Sequence, residues 1–274
     1  MCLYPIKITA CPKDGEPHRA TVCCGRCMEC VRQKSVEWAF RIMHEAAQYK
    51  SNCFLTLTYN NENLPSNGVE RREVQLFIKR LRKALSPQKL RFFACGEYGK
   101  KFGRPHYHLI IFGWYPDDTF YHGMDGKTKL YRSPLLERVW QKGFSSVAKV
   151  EYETALYCAK YMNKWQYDIL VRRKANDRDF IKPNKPFVQM SNRPGVGYNA
   201  VYRCDLNTDK IYINGKSTKI PRYYLKVMER DGLYLEDFKE RRMQTGAMKE
   251  KTIDLEEKRK KFYERFNSAV VKPH

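Results

Sequence analysis

Two runs of β-forming residues, LRFFACGEYG (90–99) and PHYHLIIFG (105–113), flank a short segment bounded by Gly99 and Gly103. A glycine-bounded gap of this length between apolar and aromatic runs is a hairpin connection. Strands joined this way run antiparallel, because a parallel pair needs a crossover of a dozen or more residues. The centre of the chain is therefore not a doubly wound parallel sheet. CFLTLTY (53–59) reads as a further strand and FSSVAKV (144–150) as a fourth. Val74, Phe77, Ile78, Leu81 and Leu85 make a helical stripe, and Val31, Trp38, Ile42, Ala46 and Tyr49 fall near the same spacing. A third helix is expected over 152–167. The expected fold class is α+β, a central antiparallel sheet with helices packed on it. Residues 115–135 read as irregular. From about Val171 the chain reads as loop-rich, with a weak strand at KIYING and charged helix over its last 40 residues.

The second run begins with the histidines. Side chains alternate faces along a strand, so His106 and His108 point one way and Tyr107 the other. Glu97, at the end of the preceding run, is expected opposite residues 105–107. Two imidazoles and one carboxylate with open positions suit Mg²⁺ or Mn²⁺ acting on a phosphate, although the set also accepts other transition metals. An isolated H-x-H is most often an ordinary surface pair; it gains weight only from what accompanies it.

One companion is charge. With 52 basic and 30 acidic residues, the net charge of +22 favours a polyanionic partner, and 19 tyrosines are available to stack on bases. Another is ALYCAKYMNKW (155–165), where Tyr157, Lys160, Tyr161 and Lys164 fall at i, i+3, i+4 and i+7 on one helical face. A phenol, with a pKa near ~10, attacks poorly at neutral pH unless activated. An adjacent lysine stabilises a phenolate and the charge developing on phosphorus. The chemistry suits phosphodiester attack through a phosphotyrosine, and the second phenol one turn away suits a second transfer. Taken alone, an aromatic helix with solvated lysines is an equal reading.

Together, TLTY on a strand, GEYG…RPHYH and YCAKYMNK resemble the three motifs of HUH endonucleases that initiate rolling-circle replication. With CGRCMECVRQKSVEW upstream, residues 1–167 are similar to replication initiators of gokushovirus-type microviruses, small single-stranded DNA phages. The resemblance implies an HUH, ferredoxin-like core. It implies His106, His108 and Glu97 as metal ligands, Tyr157 as first nucleophile, Tyr161 as its alternating partner, and Lys160 beside the phosphate. The implied activity is nicking and joining of single-stranded DNA at the replication origin, with a host polymerase extending the free 3′-OH and a host helicase unwinding. Arg41, Arg104 and Lys164 are candidate DNA contacts. Many relatives carry a bulky apolar residue where this chain has Tyr107, which is read as packing. The implied organisation is a Cys-rich knuckle with the first helix (1–50), a nuclease core (51–170) and a basic extension (171–274).

CCGRCMEC supplies Cys24, Cys27 and Cys30 at CxxCxxC spacing. A closed structural Zn²⁺ site takes four ligands. Cys2 and Cys11 are candidates for the fourth, and the CLYP start, shared with the resembled phage proteins, favours Cys2. Cys53, Cys95, Cys158 and Cys204 read as buried packing residues. No apolar run is long enough to span a membrane and no signal-peptide core is present, so the expected location is the reducing cytoplasm of the bacterial host. Gly215-Lys216-Ser217 is not a phosphate-binding loop, because Lys210 stands where that loop needs a glycine. Asp117-Asp118 is an acid pair with no evident partner. Two alternatives keep part of the pattern: an HUH transposase, and a non-catalytic zinc-containing nucleic-acid-binding protein for which the histidines are incidental.

Overall fold

A computed structural model of the chain describes residues 2–11, 16–99, 102–160, 183–251, 254–257 and 259–261. The chain forms two compact units, one of Ser35–Cys204 with Ile211–Lys219, the other of Met1–Lys34 with Asp205–Lys210 and Ile220–His274. In chain order the first elements are β1 (Ile6–Ala10), β2 (His18–Val22), α1 (Met28–Ala46), β3 (Asn52–Tyr59), α2 (Arg71–Ala84), β4 (Arg91–Tyr98) and β5 (Pro105–Phe112). There follow β6 (Phe120–Asp125), β7 (Thr128–Arg132), α3 (Pro134–Trp140), β8 (Gly143–Lys149), α4 (Tyr152–Lys160) and β9 (Phe187–Met190). The last are β10 (Lys210–Ile213), β11 (Lys216–Lys219), α5 (Arg222–Arg230) and α6 (Glu236–Lys251).

The larger unit is built on a seven-stranded sheet in the order β6-β7-β8-β3-β5-β4-β9, with every pairing antiparallel. The expected hairpin is β4–β5. Gly99 N–H donates to the Arg104 carbonyl (2.9 Å) and Gly103, at φ 64°, donates to the Gly99 carbonyl (2.9 Å). Both faces of the sheet are covered, which explains why β5 is apolar at consecutive positions. Tyr107, Leu109 and Ile111 pack with Val74, Phe77 and Leu81 of α2 and Leu136 and Trp140 of α3. Ile110 and Phe112 pack with Ala39 and Ile42 of α1 and Ala155 and Cys158 of α4. Burying each large apolar side chain contributes about 1.5–3 kcal/mol. A one-residue slip of β5 would drive both histidines into the α2 core, so this burial fixes the register that sets their direction. Gly96 is required by packing, since a Cβ there would lie 2.7 Å from the Phe187 ring.

The structure corrects four expectations. Residues 115–135 are not irregular: β6 and β7 form a hairpin with a bulge between Tyr121 and Gly123. Its solvent-facing strands lack the apolar alternation by which strands are read. The loop-rich stretch after Val171 contains β9, an edge strand of only four residues. Asp118 is not without a partner: its carboxylate accepts from the Ser133 hydroxyl and from Leu135 N–H (2.7 Å), while Ser133 caps α3. Cys204 is half-buried, whereas Cys53, Cys95 and Cys158 are buried as expected. Gly215-Lys216-Ser217 belongs to a hairpin turn between β10 and β11, with Asn214 (φ 45°) and Gly215 (φ 74°) supplying the left-handed pair such a turn demands.

In the smaller unit β1 pairs with β2 from Ile6↔Val22 to Ala10↔His18, a hairpin within a stretch that reads as merely turn-rich. Arg242 of α6 grips Asp209 at 2.6 and 2.8 Å.

Candidate metal and phosphodiester-cleavage site

Antiparallel register places Glu97 of β4 directly opposite His106 of β5, within the expected window, and Cys95 opposite His108. Directly paired residues project to the same face. Nε2 of His106 and Nε2 of His108 each lie 2.8 Å from one oxygen, Oε1 of Glu97. Their outer nitrogens are engaged too. Nδ1 of His106 lies 3.1 Å from the Arg104 carbonyl, and Nδ1 of His108 lies 3.0 Å from Thr56 Oγ1.

These outer contacts decide what the inner atoms can bind. A carbonyl only accepts, so His106 Nδ1 carries the proton and a neutral ring turns a bare lone pair toward Glu97. Two acceptors at 2.8 Å need a cation between them. Glu97 is 2 % exposed, and its Oε2 has no hydrogen-bond partner among the described residues. Burial also lowers the His108 pKa, outweighing the raising effect of its bond to Glu97, and so favours a neutral ligand ring. One carboxylate and two oriented imidazoles, all half-buried or buried, fit a divalent cation.

Helix α4 crosses this face of the sheet. Its first turn is closed by the Thr154 hydroxyl, which accepts from Glu151 N–H (2.9 Å). Its last turn is tied to α1 by the Ser35 hydroxyl, which donates to the Ala159 carbonyl (3.3 Å). Ala155 and Cys158 face the core, and Tyr157 and Lys160 are exposed. The Tyr157 ring stands edge-on to the His108 ring, with centroids 5.0 Å apart, and edge-on to Phe54 at 6.4 Å. Tyr161 and Lys164 lie outside the described residues.

The candidate DNA contacts separate. Arg104 donates to Asn61 Oδ1 and to the Tyr59 carbonyl, both at 3.0 Å, at the rim of the histidine site. Arg41 is buried; its guanidinium donates twice to the Val196 carbonyl (2.9 and 3.1 Å) and stacks over Trp38, an interior position. Tyr107 is fully buried, and besides packing its hydroxyl lies 2.9 Å from Tyr59 Oη and accepts from Glu70 N–H. Sequence reasoning missed Thr56 as the orienter of His108. The signal for it is the polar Thr56 and Thr58 alternating with Leu55 and Leu57 in TLTY.

Four cysteines meet in the smaller unit. Cys2 Sγ lies 3.5 Å from Cys24 Sγ and 3.8 Å from Cys27 Sγ, and Cys24 Sγ lies 4.0 Å from Cys30 Sγ. Leu3 N–H donates to Cys27 Sγ (3.3 Å) and Cys24 N–H to Cys2 Sγ (3.2 Å). Burial alone would raise the Cys27 thiol; the Leu3 and Cys30 N–H groups and neighbouring thiols outweigh it and bring its pKa to about 6. Cys11 and Cys23 are exposed and stand outside the cluster. Among the described residues, no helix is long and apolar enough to cross a membrane.

The profile of the replication-associated protein ORF2 family matches residues 52–166, a span that holds the histidine site and α4. The chain is 30% identical over 216 residues to replication-associated protein ORF4 of Chlamydia phage 1, covering 76% of this chain and 53% of that protein. It is 31% identical over 213 residues to replication-associated protein VP4 of Bdellovibrio phage phiMH2K, covering 73% and 65%. It is 32% identical over 248 residues to replication-associated protein ORF2 of Spiroplasma virus 4, covering 81% and 73%. It thus spans about half the length of the first of these relatives. No solved structure matches it. With a family profile laid over the site and a relative matched across most of its length, the chain belongs to the replication-associated proteins of small microvirus-type phages.

Proposed function

We propose that the chain is a replication initiator that nicks and rejoins single-stranded DNA through a covalent 5′-phosphotyrosine. The observation that carries the reading is the Tyr157 ring standing 5.0 Å from a histidine that shares a carboxylate oxygen with its neighbour. His106, His108 and Glu97 would hold Mg²⁺ or Mn²⁺, which when bound polarises the scissile phosphate. Tyr157 Oη attacks phosphorus, the P–O3′ bond breaks, and the 3′ oxygen leaves with a proton as a free hydroxyl. Lys160, three residues on along the same helix, offsets the negative charge that develops. Tyr161 performs the second transfer, in which the retained 5′ phosphate passes to a 3′-OH and closes a circle. Arg104 and Lys164 contact the strand. The reaction takes place in the host cytoplasm, where a host polymerase extends the 3′ end and a host helicase unwinds ahead of it. The four-cysteine cluster holds a structural Zn²⁺.

The test uses 3′-labelled single-stranded fragments tiling the replicon that encodes the chain, incubated with Mn²⁺ or Mg²⁺ and run on a denaturing gel. A labelled covalent adduct is expected, and the double variant Tyr157→Phe, Tyr161→Phe abolishes it. Retention on a filter without any adduct would instead favour the non-catalytic binding protein. A transposase would share the chemistry; the replication-associated relatives weigh against it.

A further inference from the structure

The sheet face that carries the histidines does not end at them. His106 pairs with Thr58, and Thr58 pairs on its other side with Phe144 of β8. Paired residues project alike, so Glu97, His106, Thr58 and Phe144 form one transverse row on one face. Neighbouring strands are about 4.8 Å apart, which puts Phe144 about 10 Å from His106 across the sheet. The Thr58 hydroxyl donates to the Phe144 carbonyl (3.4 Å) and ties the two strands at that point of the row.

Phe144 is 55% exposed although the strand that carries it is interior to the sheet. An aromatic ring left open on a covered sheet costs hydrophobic burial and calls for an occupant. The Arg132 guanidinium lies 5.9 Å from the centre of that ring and is itself held by Glu137. Phe120, which pairs with Arg132, is also half exposed. A flat ring with a fixed guanidinium beside it, on a chain of net charge +22, matches a nucleobase joined to a phosphate.

We infer that Phe144 is a stacking platform for a base of the single strand, a few nucleotides from the scissile phosphate, with Arg132 flanking it. The inference rests on the nicking reading above, because that reading brings single-stranded DNA to this face. Stacking on one aromatic ring is sequence-tolerant, so the platform anchors the strand rather than reading it.

The probe is a fluorescein-labelled oligothymidylate, titrated by anisotropy against the full chain. Phe144→Ala is expected to weaken binding about five- to hundredfold, the range for loss of one stacked base. Phe144→Trp, which keeps a π-face, retains wild-type affinity. The slope of log affinity against log salt stays unchanged in Phe144→Ala, because no phosphate contact is lost. An oligothymidylate carrying 5-iodouracil is expected to photocrosslink to the peptide that contains Phe144. Far-ultraviolet circular dichroism checks that each variant folds. Unchanged affinity in Phe144→Ala, or an equal loss in Phe144→Trp, overturns the platform even where the Tyr157 adduct forms. A platform that passes these tests while no adduct forms overturns the nicking reading instead, so the two failures are distinct.

Discussion

The hydroxyl of Ser35 on α1 donates to the carbonyl of Ala159, at the end of the helix that carries Tyr157. Ser35 is buried, so this bond is made away from water and joins two elements 124 positions apart in the chain. Its position ties the helix to the scaffold two residues beyond Tyr157. Ser35→Ala is expected to lower the rate of adduct formation, by up to about 100-fold for a displacement near 1 Å. Mn²⁺ affinity, read by calorimetry, stays unchanged because no ligand moves. Equal losses in both would mark the serine as a general stability residue.

Glu97→Gln separates metal binding from folding. In chelator the glutamine amide donates to the imidazole lone pairs that now face a carboxylate oxygen, so stability is expected within about 1 kcal/mol of wild type. With Mn²⁺ at 100 times its dissociation constant, wild type gains about 2.7 kcal/mol and the variant gains none. Urea unfolding with and without Mn²⁺ measures the difference. Equal stabilisation of both proteins would put the ion elsewhere.

The opposite face of β5 predicts the reverse pattern. Tyr107→Phe removes a buried hydroxyl that accepts from Glu70 N–H and lies 2.9 Å from Tyr59 Oη. Two buried polar groups lose a partner, a cost of about 1–3 kcal/mol for each one left unsatisfied. Urea unfolding should show that loss while the Mn²⁺ increment persists.

What could be read from the residues follows from which physical signals are local. The β4–β5 hairpin and the shared direction of His106 and His108 rest on period-2 alternation and a glycine-bounded turn, both visible over a dozen residues. The Glu97–His106 pairing follows once the turn is centred. Thr56 escaped notice because its role depends on β3 lying beside β5, a long-range pairing without a local mark. The same holds for Asp118, whose partners are at 133 and 135, and for β9, whose four residues form a strand because β4 offers an edge. Arg41 read as a solvent-facing base because its helical stripe is basic; the Val196 carbonyl that draws it inward is 155 residues away.

His44 makes stability depend on pH. Burial lowers its pKa below 6.5, the bond between its Nε2 and the Tyr212 carbonyl acts the other way, and Arg203 lowers it further. The unfolded chain therefore takes up this proton at a higher pH than the folded chain does. Its contribution is fully present above about pH 6.5 and is lost as pH falls toward the lowered folded value. His44→Gln should flatten the fall of unfolding free energy across that window relative to wild type. Parallel curves for the two proteins would remove His44 from the account.

The cysteine cluster can be tested by geometry and then by chemistry. Tetrahedral Zn²⁺ with Zn–S bonds of about 2.3 Å sets its sulfurs about 3.8 Å apart. The separations of 3.5, 3.8 and 4.0 Å straddle that value and are far longer than a disulfide bond. N–H groups of Leu3 and Cys24 aimed at the sulfurs stabilise thiolates, the form that binds metal. The chain is expected to hold one Zn²⁺ in this cluster, and Co²⁺ in its place should give the visible absorption of a tetrahedral thiolate site. Cys2→Ser should lose that spectrum and lower the unfolding temperature, since a structural zinc contributes directly to folding. Cys11→Ser and Cys23→Ser should leave both readings unchanged. A Co²⁺ spectrum that survives Cys2→Ser but disappears in Cys11→Ser would exchange the fourth ligand and refute the arrangement seen here.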